Sequence, residues 1–120
     1  MPYVLRFTDE GLKDVKALPK NVRSHLKKEI LKRIGKDPRG CSYELKPPLG
    51  KYRSCHIADY RVVFYLAEDI RSVAIAGIGK HSKDVSKDVY KKLESLINQG
   101  KLAERILATL RGFKTGNNDD

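Results

Sequence analysis

The stretch YRSCHIADYRVVFYLAEDIRSVAIAGIGKH, residues 52–81, mostly alternates like sheet, yet it carries Arg53, His56, Arg61, Lys80 and His81. Arginine forks match phosphate oxygens through two parallel hydrogen bonds. An unperturbed histidine, with a pKa of about 6.5, gives or takes a proton at neutral pH. Cations and imidazoles fixed on one rigid sheet therefore suit chemistry at a phosphate: holding it, stabilising negative charge on its oxygens and moving protons around it.

Such side chains act together only if strands and loops bring them together. YVLRF at 3–7 sets Tyr3, Leu5 and Phe7 on one face and reads as a first strand. Thr8 or Asp9 can cap a following helix with Leu12, Val15 and Leu18 on one stripe. Val22, Leu26, Ile30 and Ile34 recur every four residues and mark a second helix over 20–36, which Gly35 and Pro38 end. A loop rich in breakers follows, DPRG at 37–40 and KPPLG at 46–50. Three short strands are expected at about 52–57, 60–67 and 70–78, joined by hairpins at Asp59 and at Glu68-Asp69. Val85, Val89, Leu93 and Leu96 mark a third helix, and Leu102, Ile106 and Leu110 a fourth after Gly100. The order β-α-α-β-β-β-α-α implies an α+β fold in which the first strand joins an antiparallel three-stranded meander to complete a four-stranded sheet. One face of that sheet is expected to pack on helices and the other to stay free for binding.

The chain has 120 residues and 40% hydrophobic content, enough for one modest core. Its net charge is +10, with 14 Lys or Arg against seven acidic residues in 1–60 and 11 against eight in 61–120. The second helix concentrates this excess: Lys20, Arg23, Lys27, Lys28, Lys32, Arg33 and Lys36 are opposed only by Glu29. Such a surface suits an anionic partner. Two cysteines, Cys41 and Cys55, make neither a disulfide framework nor a four-ligand zinc pattern. With no secretory signal at the N-terminus, a reducing cytoplasm is the expected compartment. The longest apolar run, Val62 to Ala67, is too short for a membrane span.

Taken in order, several segments resemble one family. MPYVLRFTDEGLKDVKALPK, the basic helix 20–36, LKPPLGKYRSCHIADYRVVFYLAED and IAGIGKHSKDVSKDVYKKL are similar to the successive elements of the RelE/ParE superfamily of toxins, closest to its RelE-like, mRNA-cleaving branch. The resemblance covers about residues 2–93. It implies a RelE-like toxin domain over 1–93, which the helical extension over 94–113 exceeds; the polar tail over 114–120 is expected to be disordered. It further implies a ribosome-dependent endoribonuclease that works without metal or other cofactor and is neutralised by a cognate antitoxin. The apolar stripe of 94–113 must be buried on the body of the chain or on a partner, including a second copy through the C-terminal helices.

RNA cleavage by its own 2′-OH needs a base, cations on the phosphorus oxygens and an acid for the leaving 5′-oxygen. The resemblance assigns phosphate stabilisation to Arg61, the arginine of a Tyr-Arg-Val motif. It places Arg53 where the family carries a cation after an aromatic residue, here Tyr52, and His81 at the basic or acid–base position after the last strand. Tyr90 resembles a C-terminal tyrosine that stacks a base or assists proton transfer, although SKDVSKDV makes its spacing from His81 longer than usual. Cys55 stands where a second lysine is usual; either Lys51 or Lys80 supplies that charge, or the proton chemistry is shared differently, with histidine in the lead. In a regular strand His56 points opposite to Arg53 and Cys55, toward the core or the hairpin turn. Lys27, Lys28, Lys32, Arg33, Lys51 and Lys80 are the expected RNA contacts. Two other readings fit the same residues: a ParE-like toxin acting on DNA gyrase, and a non-catalytic basic RNA-binding module.

Overall fold

The computed structural model describes residues 2–112. The elements are β1 (Val4–Phe7), α1 (Asp9–Lys16), α2 (Lys20–Glu29), β2 (Tyr43–Glu44), β3 (Arg53–Ile57), β4 (Tyr60–Ala67), β5 (Ser72–Gly79), α3 (Val89–Asn98) and α4 (Leu102–Leu110). The sheet has five strands in the order β1-β5-β4-β3-β2. β1 runs parallel to β5, with Val4 opposite Ser72 and Phe7 opposite Ile75, and the other pairs are antiparallel. The α+β architecture agrees with the sequence expectation, and the fifth strand is an addition to it. Two residues are too few to show a period in the sequence; β2 exists because Tyr43 and Glu44 pair with Ser54 and Arg53.

The helices begin and end as local chemistry requires. Thr8 caps α1, its hydroxyl accepting the Gly11 N–H, with Asp9 and Glu10 in the first turn. The second helix is α-helical to Glu29 and finishes in one π-helical turn, Ile30–Ile34. Asp88 caps α3 by accepting the Lys91 N–H. The third helix therefore starts at Val89; Val85, expected on its apolar stripe, lies in a short 3₁₀ turn and is exposed.

Both faces of the sheet are covered, contrary to the expectation of one free face. Val15, Leu26, Ile30 and Ile34 pack with Cys55, Ile57, Val62, Phe64, Val73 and Ile75 on one side. On the other, Val89, Leu93, Leu102 and Ile106 pack with Val63, Ala74 and Ala76. The stripe of α4 is thus spent on its own chain: Leu102 and Ile106 are buried, and Arg105 pairs with Glu10 of α1. The division expected after residue 93 falls inside α3, and the tail from residue 114 lies outside the described residues. Among the described residues no helix is long and apolar enough to cross a membrane.

α1 approaches β5 so closely that only glycine fits at position 11, where a Cβ would stand 2.4 Å from the Ile75 carbonyl oxygen. Because the obstacle is backbone, it cannot turn aside. Gly11→Ala is expected to lower stability by about 1–3 kcal/mol, read as an earlier midpoint in urea unfolding. An unchanged midpoint would show that α1 can shift outward at no cost.

Candidate active site

What the helices leave open is one end of the sheet, where β2, β3 and β4 meet the loop after β5. Successive side chains of a strand point to opposite faces. On β3, Cys55 and Ile57 join the core beneath α1 and α2, so Ser54 and His56 project to the other face. His56 pairs across the ladder with Arg61, which in turn lies opposite Gly79. Gly79 places no side chain beside the arginine. The pleat thus behaves as the sequence suggests: Cys55 enters the α1–α2 core, and His56 lies on the other face, past the part that α3 and α4 cover. His56 is exposed, neither core-facing nor in the turn.

Around Arg61 a set of polar groups converges. Tyr43 Oη lies 2.7 Å from His56 Nε2 and 3.3 Å from Tyr90 Oη. Tyr90 Oη also meets the buried Ser54 hydroxyl at 2.9 Å. The His81 ring stands edge-on to Tyr90 with centroids 5.1 Å apart, and its Nδ1 is 2.6 Å from Asp88 Oδ1. The charges of Arg61 and His81 both reach His56, and that of Arg61 reaches Tyr90. Tyr90 arrives because α3 starts hard against the end of β5, with the Val89 N–H bonded to the Lys80 carbonyl. The long SKDVSKDV insert is accommodated as a loop with a 3₁₀ turn, and it does not carry Tyr90 away.

The environment sorts these groups by protonation. Partial burial, then the Arg61 and His81 charges, hold the His56 imidazole below the ordinary histidine range. At neutral pH it is a neutral imidazole able to accept a proton. Burial and then the Tyr43 hydrogen bond outweigh the Ser54 contact and push Tyr90 up to about 12, so its hydroxyl stays a donor. Arg61 has no ion pair or hydrogen bond to other described side chains and remains half-exposed. A cation with no ion pair or hydrogen bond among the described residues, beside a neutral base and two phenols, is able to take an anion.

Four sequence candidates, Arg61, His81, Tyr90 and His56, come together in this way. Arg53 does not join them. It lies opposite Phe64 on the α1–α2 side of the sheet, where its guanidinium bonds the Ser42 hydroxyl at 2.7 Å and the Ser42 carbonyl at 3.2 Å. Glu44 stands 3.8 Å away, and only 14% of the Arg53 side chain is exposed. Arg53→Ala is accordingly expected to loosen the 39–44 loop, seen as faster proteolytic nicking there, while site chemistry changes less than about threefold. A tenfold loss per folded molecule would return Arg53 to the site.

Cys55 is fully buried, and its thiol is raised to about 12 by burial and then by Cys41. A lysine there would point into the core, so its position has no bearing on the charge of the cluster. Arg33, expected on RNA, donates to the His56 carbonyl at 2.9 Å and steadies the strand from behind. The π turn that ends α2 carries it. Lys27, Lys28 and Lys32 stay exposed on α2 and its π turn, and Lys51 is exposed in the loop before β3. Lys80 is exposed and lies 5.5 Å from the Tyr60 ring centroid, a ring that packs on the α1–α2 face. Tyr43, Ser54 and Asp88 were not expected. Tyr43 lies in a loop without periodicity, Ser54 carries no signal, and Asp88 was hidden inside a helix drawn to start too early.

A small mixed sheet wrapped by two helix pairs, with a polar cluster at its open end, is the architecture of the RelE/ParE toxins. Residues 5–85 match the family of ParE toxins of type II toxin–antitoxin systems, and the chain belongs to that family. No curated protein matches it in sequence. Among solved structures it is similar to the RelBE2 toxin–antitoxin complex of Mycobacterium tuberculosis, with a TM-score of 0.61 and 21% identity over 67% of this chain and 99% of that one. A double mutant of E. coli RelE in the free state gives 0.57 and 22%, over 78% of this chain and 99% of that one. A Helicobacter pylori protein gives 0.51 and 21%, over 66% and 94%. At these identities the likeness is one of fold.

Proposed function

We propose that this toxin is a ribosome-dependent endoribonuclease that cuts mRNA by attack of the 2′-OH on the neighbouring phosphate. The observation that carries the reading is the convergence of Arg61 with His56, His81 and Tyr90 at one open edge of the sheet. His56, neutral at pH 7, takes the 2′-OH proton. As O2′ bonds to phosphorus, Arg61 balances the charge on the non-bridging oxygens. The P–O5′ bond then breaks, and protonated His81 supplies the proton for the leaving oxygen. Tyr90 and Tyr43 add donors or a stacking surface. RNA alone carries the 2′-OH, so DNA is no substrate.

In this reading Lys27, Lys28, Lys32, Lys51 and Lys80 contact ribosomal or messenger RNA phosphates, and the protein acts in the cytoplasm. A cognate antitoxin neutralises it; the similar M. tuberculosis structure is a toxin–antitoxin complex. The second reading, inhibition of DNA gyrase, is favoured by one observation: the family matched is that of the ParE toxins. The deciding experiment adds purified protein to translating ribosomes and to gyrase in parallel. New 5′ ends within translated mRNA by primer extension support the nuclease. Loss of supercoiling with intact mRNA overturns it. Neither effect, with binding to free RNA, leaves a non-catalytic RNA-binding module.

A further inference from the structure

We propose that Asp88 is a positioning residue for His81: it holds the ring in the Nδ1–H tautomer, so that Nε2 is the nitrogen presented to substrate. The catalytic consequence rests on the ribonuclease reading; the tautomer does not.

Asp88 is 2% exposed, and both carboxylate oxygens are committed. Oδ1 accepts the Ser82 N–H at 2.6 Å and lies 2.6 Å from His81 Nδ1. Oδ2 accepts the Lys91 N–H at 3.0 Å and so caps α3. Backbone groups from both ends of the 82–91 segment therefore clamp the carboxylate, and it cannot rotate away from the imidazole. Burial alone would favour the protonated acid, but the Ser82 N–H, the His81 ring and the Lys91 N–H outweigh it and hold the group ionised. An ionised carboxylate only accepts, so the shared proton sits on Nδ1. Tyr90 meets the ring edge-on at an interplanar angle of 67°, steadying it from a second side, while 60% of the His81 side chain stays open. The sequence offers the same motif twice, SKDV at 82–85 and 86–89. Asp84, in the first copy, is exposed and caps only the 3₁₀ turn at Ser86. Only the second copy reaches back to a histidine.

The test is the tautomer of His81, read by long-range ¹H–¹⁵N correlation at a pH where the imidazoles are neutral, alongside cleavage by translating ribosomes. Wild type should show the Nδ1–H pattern. Asp88→Ala removes both oxygens, the one shared by Ser82 and His81 as well as the one on Lys91, so the ring should lose its Nδ1–H preference. Cleavage should then fall by about 100-fold or more. Asp88→Ser keeps a helix cap and should lose the tautomer preference without flipping it. An Nε2–H ring in wild type, an Nδ1–H preference kept in both Asp88→Ala and Asp88→Ser, or a lost preference with cleavage at the wild-type rate each overturns the proposal. Should wild type cleave nothing, the ribonuclease reading fails alone, and the ring pattern still decides for or against Asp88.

Discussion

Arg61→Ala is expected to reduce mRNA cleavage by about 10²–10³-fold while leaving the fold intact, the usual cost of removing one preorganised group aimed at developing charge. The fold should survive because Arg61 supports nothing: it is half-exposed, no carboxylate or carbonyl of the described residues holds it, and its neighbour across the ladder is Gly79. Removing it also lifts one of the charges that lower His56. The base should then titrate higher, and the residual activity should move to higher pH. Arg61→Lys keeps the charge and loses the two-pronged fit to phosphate, so it should recover part of the rate only. The measurement is single-turnover cleavage by primer extension, with unfolding followed in parallel. Full cleavage by Arg61→Ala would remove the cluster from the mechanism.

The second large effect belongs to the histidine pair. His56→Ala and His81→Ala should each cost about 10²–10⁴-fold, the range for a positioned acid or base. Their pH signatures should differ. A base works in its deprotonated form, so activity rises with pH through the His56 titration and levels off below the ordinary histidine range. His56→Gln should erase this acidic limb of the profile. A profile whose acidic limb is unchanged in His56→Gln would take the base role away from His56. Neither histidine carries core packing, since both are exposed, so stability should change little.

Asp88 and Arg33 show why the site needs more than its reacting groups. Arg33 reaches the His56 carbonyl from the end of the basic helix, and Asp88 reaches His81 from the start of α3. Each histidine is therefore steadied by an element other than its own. The basic helix is not only a charged face: its last turn braces the strand that carries the proposed base.

How much of this was legible in the sequence varies by element. The apolar stripe Leu26, Ile30 and Ile34 announced a buried helix, because burial at a helical period leaves a pattern in one dimension. The alternation along RSCHI correctly put His56 and Cys55 on opposite faces. It could not say which residues of each face the helices would cover, because that depends on where both helix pairs dock. Arg53 and Arg61 look equivalent on paper, both arginines beside aromatic residues in neighbouring strands. The ladder separates them, since Arg53 pairs with Phe64 and Arg61 with His56.

The linear order of residues was sufficient for the number and kind of helices, the hairpin of β3 and β4, the α+β class and the concentration of positive charge on one helix. These follow from local propensity and periodicity, which each segment carries in itself. Folding in three dimensions decided the rest: β2 at the edge, the covering of the second face by α3 and α4, Arg53 turned away from the cluster, and Tyr43, Ser54 and Asp88 brought into it. Those outcomes depend on contacts between residues far apart in the chain. Tyr43 meets Tyr90, and Ser54 does too, only after α3 has docked on the sheet.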